Sequence, residues 1–420
     1  MPTYPTYKLG QICETTSGGT PNRKIEAYYG GSIPWVKSGE LGKGVIFDTE
    51  EKITKDAVKN SSAKIFPEGT LLIALYGATI GKLGFLGVPA ATNQAVCGIF
   101  ANDKIDLQFL SYYLFHKRND LIAQGTGGAQ PNISQTILKN LPIPLPPLPT
   151  QQAIVSRIES LFAELDKAVD KLKTAQQQLK TYRQAVLKAA FEGNGEMKKY
   201  FFNDLMVDVR NGYGVKPTDK GNYKILRISS VRALSLNLLD YRLNDTAFDE
   251  KDTIKENDLL FTRYNGSADL VGVCAYVPHL AEPYAYPDKI IRCRPKINDV
   301  AHSKYLQYYM NHGAAREYIR SKIKTTSGQN GISGSDLKKT VVFLPSLSEQ
   351  QRIVAEIESR LSACESMEES IAQSLEQAEV LRQSILKKAF GGELLAEPVE
   401  ANIVVSTSST TTFLPNSATT

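Results

Sequence analysis

Histidine is scarce: His116, His279, His302 and His312 are the only four in 420 residues, and no two stand at metal-ligand spacing. The five cysteines, Cys13, Cys97, Cys274, Cys293 and Cys364, are scattered, which argues against a zinc site and fits free thiols in a reducing compartment. No apolar run approaches the roughly 20 residues of a membrane span, and the N-terminus lacks a basic-then-apolar signal pattern, so a cytoplasmic protein with no membrane partner is expected. Catalytic signatures are missing too. Gly77 to Lys82 is one residue short of a phosphate loop between its glycines, and Leu83 replaces the metal-binding hydroxyl, so a strand-end glycine turn is the simpler reading. Pro287-Asp288 with Asp336-Leu337-Lys338 is a loose nuclease-type set of a kind that arises by chance. Pro146-Pro147 lacks the flanking residues with which an amino-methyltransferase holds a flipped base, and no dinucleotide or S-adenosylmethionine glycine fingerprint is present. The expectation is a reader without an enzyme.

What the chain has is a duplication. The stretch Leu145 to Gly193 returns at Leu344 to Gly392 without a gap, matching at Leu344, Pro345, Leu347, Gln350, Gln351, Ile353, Val354, Arg382, Gln383, Leu386, Lys387, Ala389, Phe390 and Gly392 among others. Each copy reads as one long helix with a coiled-coil seam, carried by Ile154, Ile158, Leu161, Leu165, Leu172 and Leu179 in the first and by Ile353, Ile357, Leu361, Ile371, Leu381 and Ile385 in the second. Prolines before Gln151 mark the start and Gly193 the stop. About 40 residues at 1.5 Å each make a rod of about 60 Å, a spacer more than a core helix. The first helix is slightly basic and the second acidic, which favours their meeting each other.

Composition is that of a soluble globular protein, 42% hydrophobic and 22% charged, and the length suits two or more domains. Net charge is +5, divided roughly as +3 for residues 1–148, +2 for 149–195, +6 for 196–344 and −6 for the remainder. The excess positive charge therefore sits mainly on two non-helical blocks, as on heads that lie on a polyanion. The chain divides into a head at 1–144, a rod at 145–195, a second head at 196–343, a second rod at 344–396 and a Ser/Thr-rich tail at 397–420 that is expected to be disordered.

Both heads read as mixed α/β units with the same plan, so the fold class is α+β. Polar loops recur at equivalent places. The first head offers Lys37, Ser38, Tyr76, Thr79, Lys82, Thr126, Gln130 and Asn132. The second offers Arg227, Ser229, Ser230, Arg232, then Arg263, Tyr264, Asn265, Ser267, then Lys324, Thr325, Ser327, Gln329 and Asn330. These types suit DNA, because arginine forks onto guanine, asparagine or glutamine pairs with adenine, and small residues let backbone amides reach phosphates.

The two Leu-Pro-x-Leu-x-x-Gln-Gln-x-Ile-Val leaders at Leu145 and Leu344 and the Arg-Gln-x-x-Leu-Lys-x-Ala-Phe exits at Arg183 and Arg382 resemble the specificity subunits of type I restriction–modification systems. The Asn- and Gly-rich loops before each rod add to the likeness, which spans nearly all of residues 1–395. It implies two target recognition domains, each reading half of a bipartite site in double-stranded DNA, held by two helices that pair antiparallel as a coiled coil in a pseudo-twofold repeat. It also implies two modification (methyltransferase) subunits as partners, restriction subunits added to them, and S-adenosylmethionine, ATP and Mg2+ on those partners, with none on this chain. Half-sites on one face of DNA stand about one turn, roughly 34 Å, apart. The competing reading is a coiled-coil adaptor without DNA readout, which would bind in a salt-insensitive, sequence-blind way.

Overall fold

The duplicated leaders run into two helices of nearly equal length, Leu148–Ala190 and Leu347–Phe390, of 43 and 44 residues. The first begins ahead of Gln151 and takes Pro149 into its opening turn, where the missing N–H has no partner to lose. The second ends at Gly391-Gly392, with Gly392 at φ 81°, the left-handed stop that glycine permits. The computed structural model describes residues 4–125, 132–192, 196–214, 218, 220–245, 247–296, 300–326 and 328–395. The expected stop at Gly193 and the Ser/Thr-rich tail lie outside them. Among the described residues no helix is long and apolar enough to cross a membrane.

The chain divides into two units, one holding the residues up to Lys171 together with those from Ser374 on, the other Leu172–Gln373. Each long helix thus starts in one unit and ends in the other.

In the first unit a five-stranded sheet runs Thr15–Ser17, Val96–Ile99, Leu71–Ala74, Leu83–Leu86, Val45–Ile46. Leu71–Ala74 is buried at every residue, as the unbroken apolar run foretells for a strand covered on both faces. A second sheet orders Lys52–Ile53, Tyr29–Val36, Ala90–Thr92 and Ile65–Phe66. The helical segment that follows Asp106 breaks at Lys117 into Leu107–His116 and Arg118–Ala123. Leu110 and Leu114 share one core with Ile154 and Ile158 of the first long helix and with Ile385, Leu386 and Ala389 of the second. The helices run antiparallel there, since Phe162 and Asp166 meet Arg382: its guanidinium lies 4.7 Å over the Phe162 ring and pairs with the Asp166 carboxylate.

The second unit repeats the plan. Leu259–Thr262 is its buried central strand, between Ile290–Pro295 and Cys274–Tyr276, with Met206–Asn211 at the far edge. Arg183 reaches Glu368 at 3.1 Å and Glu365 at 3.9 Å. Asp166 and Glu365 are matched positions of the duplication, as are Arg183 and Arg382, so each unit carries the same cross-helix ion pair.

Along the second helix Ile357, Cys364, Ile371, Ala378 and Ile385 recur every seven residues and are each at most 8% exposed, the mark of a coiled-coil seam. Ile154, Ile158, Leu165 and Ile353 are also buried, whereas Leu161, Leu172, Leu179 and Leu361 are half-buried. Leu381 corrects the sequence reading. It is 40% exposed, because the step after Ala378 is four residues and lands the seam on Arg382.

The cores of the heads differ where the backbones correspond. Gly98 in the first sheet leaves room for Phe66, which stacks edge-on with Phe100 at 5.5 Å. In the second, Arg292 takes the place of Gly98, 1% exposed, and pairs with Asp208. Arg294 is forked onto buried Asp258 by two bonds of 2.8 Å.

Candidate nucleic-acid interface

In the second unit the short strands Tyr264–Asn265, Gln329–Gly331 and Lys324–Thr326 form a three-stranded antiparallel sheet. This sheet brings two of the predicted loops, 66 residues apart at Tyr264 and Asn330, onto one ribbon, with Asn265 opposite Asn330. Thr325 Oγ1 donates to Asn330 Oδ1 at 2.7 Å, and Asn330 Nδ2 donates to the Gly266 carbonyl at 2.9 Å. Asn265 Oδ1 accepts from the Ser267 amide at 3.0 Å, the local turn asparagine favours. Arg263 lies 4.7 Å over the Tyr264 ring and donates from Nη1 to the Asp288 carbonyl at 3.3 Å. Lys324 and Gln329 are exposed on the ribbon. Its chemistry is a preordered set of amides with arginine and lysine beside them, suited to base edges and phosphates. Ser327 lies outside the described residues.

The third predicted cluster stands on another turn. Arg227 precedes the 3-10 turn Ile228–Ser230 and faces Asp240 at 3.6 Å. Ser229 is half-buried and Arg232 exposed on the hairpin Val231–Arg232 with Ser235–Leu236. Ser230 is 1% exposed, which corrects its assignment to the surface: it ends the 3-10 turn with its hydroxyl oxygen buried.

Among the described residues the first unit shows part of the same arrangement. Tyr76 forms a single bridge to Asn132, and the Ile133 amide donates to the Leu75 carbonyl at 2.9 Å, as Ile332 donates to Arg263 at 3.0 Å in the other unit. Tyr76 therefore corresponds to Tyr264. Thr79 Oγ1 turns back onto the Tyr76 carbonyl at 2.9 Å, and Lys82 lies half-buried in the same turn. Thr126 and Gln130 fall outside the described residues. Lys37, beside half-buried Ser38, is held by Glu50 and Glu51 at 3.1 Å each, and these bonds, Glu51's first, raise its pKa. Lys37 is thus already paired, and a phosphate must displace carboxylates to use it.

Two pairs of residues escaped the sequence reading as functional parts. Arg118 Nε donates to the Ile80 carbonyl at 3.0 Å, and Arg316 donates to the Val271 and Asp269 carbonyls at 2.8 and 2.7 Å. An arginine among periodic apolar positions of a helix was the signal available. Gln151 and Gln350, each fully buried, tie the starts of the long helices to the heads. Among the described residues no group of three or more histidine, cysteine or acidic side chains could hold a metal ion. Burial pushes the Cys13 and Cys97 thiols up to about 11, so they stay protonated at neutral pH.

A family model described as the type I restriction modification DNA specificity domain matches residues 1–174 and 199–377. The type I restriction enzyme EcoKI specificity subunit of Escherichia coli (strain K12) is 33% identical over 389 residues, 87% of this chain and 83% of that protein. The StySPI specificity subunit of Salmonella potsdam is 29% identical over 387 residues, with the same shares covered, 87% and 83%. A solved chain described under "structural basis underlying complex assembly and conformational transition of the type I R-M system" superposes with a TM-score of 0.73 at 19% identity, covering 94% of this chain and 99% of its own. The HsdS subunit from Thermoanaerobacter tengcongensis gives 0.61 at 19% identity, with 94% and 98% covered. At such identities the structural likeness speaks for the fold.

Proposed function

The chain belongs to the type I restriction–modification DNA specificity family, and on that premise we propose that it is the sequence reader of a type I complex, each unit contacting one half of a bipartite target in double-stranded DNA. The observation that carries this reading is the recurrence of one device with different side chains. Tyr264 opposite Gly331, with Asn265 opposite Asn330 beside them, on a ribbon in the second unit answers to Tyr76 opposite Asn132 in the first. Equal backbone placement with unequal donors and acceptors is what two dissimilar half-sites require. Modification subunits would dock on the chain, with restriction subunits joining them; S-adenosylmethionine, ATP and Mg2+ would belong to those partners, and this chain would carry no catalytic group.

The long helices would set the length of the unread gap between half-sites. One heptad inserted at the same level in both keeps the seam in phase and adds about 10 Å. The gap should lengthen while both half-sites persist; an altered half-site contradicts the spacer role. For the reader role itself, adenine methylation is mapped across the source genome with this gene intact and deleted. Loss of one bipartite motif with a fixed gap is the expected result. An unchanged map, together with salt-insensitive DNA binding when the modification subunit is present, would favour the adaptor reading.

A further inference from the structure

The two turns that carry Tyr76 and Tyr264 are closed in the same way. After the central strand of each unit the chain turns and returns through a left-handed glycine, Gly81 at φ 72° and Gly272 at φ 68°. Each glycine amide bonds back to the strand end, Gly81 to Ala74 at 2.9 Å and Gly272 to Thr262 at 2.8 Å. An arginine from a neighbouring helix then takes the carbonyl just before the glycine, Arg118 on Ile80 and Arg316 on Val271. Neither glycine can carry a side chain, since a Cβ on Gly81 would stand 2.6 Å from Arg118 Cγ and one on Gly272 2.5 Å from Ile319 Cγ2.

We propose that Arg118 and Arg316 are positioning residues that fix the reading turns, so that half-site discrimination depends on arginines that do not touch DNA. This rests on the reading of those turns as DNA-contacting. The second turn is the longer one. It spans Tyr264 to Val271, and its inner end is held at two points, because Arg316 bonds both Asp269 and Val271. Arg320 adds a bond to the Asp269 carboxylate at 3.0 Å. A guanidinium can bridge two carbonyls from a fixed plane; an ammonium on a flexible stem cannot hold both in that geometry. Among the described residues Arg118 uses one donor, Nε, on a shorter turn, so a lysine there preserves more. The two units should therefore respond unequally to the same substitution.

The test uses the chain assembled with its modification subunit and a library of targets randomised in each half. R316K should lower discrimination about tenfold in the half-site of the second unit, the size of one displaced base contact, and leave the other half unchanged. R118K should weaken the first half-site by less. R118K, on a half-buried residue, keeps the test open should R316K fail to fold. A uniform loss of activity with both half-site preferences intact would overturn the positioning role, as would relaxation in the wrong half. The double variant Y264A/N265A separates this from the premise. If it leaves the target unchanged, the reading of the turns has failed; if it alters the second half-site while R316K does not, only the positioning role has.

Discussion

Gln151 Oε1 accepts the backbone amide of Asp106 at 2.8 Å, while Gln151 Nε2 donates to the Lys104 and Pro146 carbonyls at 3.0 and 2.9 Å. Gln350 repeats the clamp on His302, Val300 and Pro345 at 2.9, 2.8 and 2.9 Å. The Gln-Gln pair of the duplicated leader is therefore unequal: the first member locks the helix start to the loop ahead of a head helix, and the second, Gln152 or Gln351, is exposed.

Gln151→Ala leaves one amide and two carbonyls without their partner in a buried place, and should cost about 2–3 kcal/mol. Gln152→Ala should stay within about 0.5 kcal/mol. Urea midpoints of the two variants check the difference, and equal midpoints would contradict the clamp.

The exit phenylalanines sit in matched aromatic cages. Phe390 packs on Phe109, Tyr113 and His116, and Phe191 on Tyr305, Tyr309 and His312. Burial holds His116, His302 and His312 below the ordinary imidazole pKa of 6.5. With folded values depressed, the unfolded chain takes up protons first as pH falls. Stability should then be full above about 6.5 and decline toward pH 5, before the carboxylates with lowered pKa begin to titrate. His312→Gln should flatten that decline in a series of urea midpoints from pH 7.5 to 5. A midpoint that rises on acidification would refute it.

Asp258 is 1% exposed and accepts from Arg294 twice and from the Lys255 amide at 2.7 Å. Asp258→Asn strands a partly buried guanidinium and should destabilise the protein by about 3–5 kcal/mol. Thr70 stands at the matching place in the first unit, and its hydroxyl donates to the Pro67 carbonyl at 2.7 Å. Thr70→Val should cost less, about 1 kcal/mol. Denaturant titration of both variants gives the comparison.

Much of the fold is written in local signals. The duplication, both long helices and the buried run at Leu71–Ala74 follow from periodicity and residue chemistry. Pairings across sequence distance are not local. Nothing near Arg292 announces that it is a core residue, because its acid, Asp208, lies 84 positions away. Lys37 looks free until the chain brings Glu50 and Glu51 back beside it. Ser230 and Leu381 show the other limit, since one step in a turn or a seam decides which of two adjacent residues is buried. The ribbon of Tyr264 and Asn330 needed the structure for its assembly, although both of its loops were visible as polar clusters.

On the proposed function, each unit reads its own half of the target. The direct measurement is a methylation map made by the assembled complex with the triple variant Y264A/N265A/N330A beside the unaltered chain. One bipartite motif is expected, its first half and gap kept while the second half loses its sequence preference. A second half that stays intact, or a change in both halves at once, would contradict it.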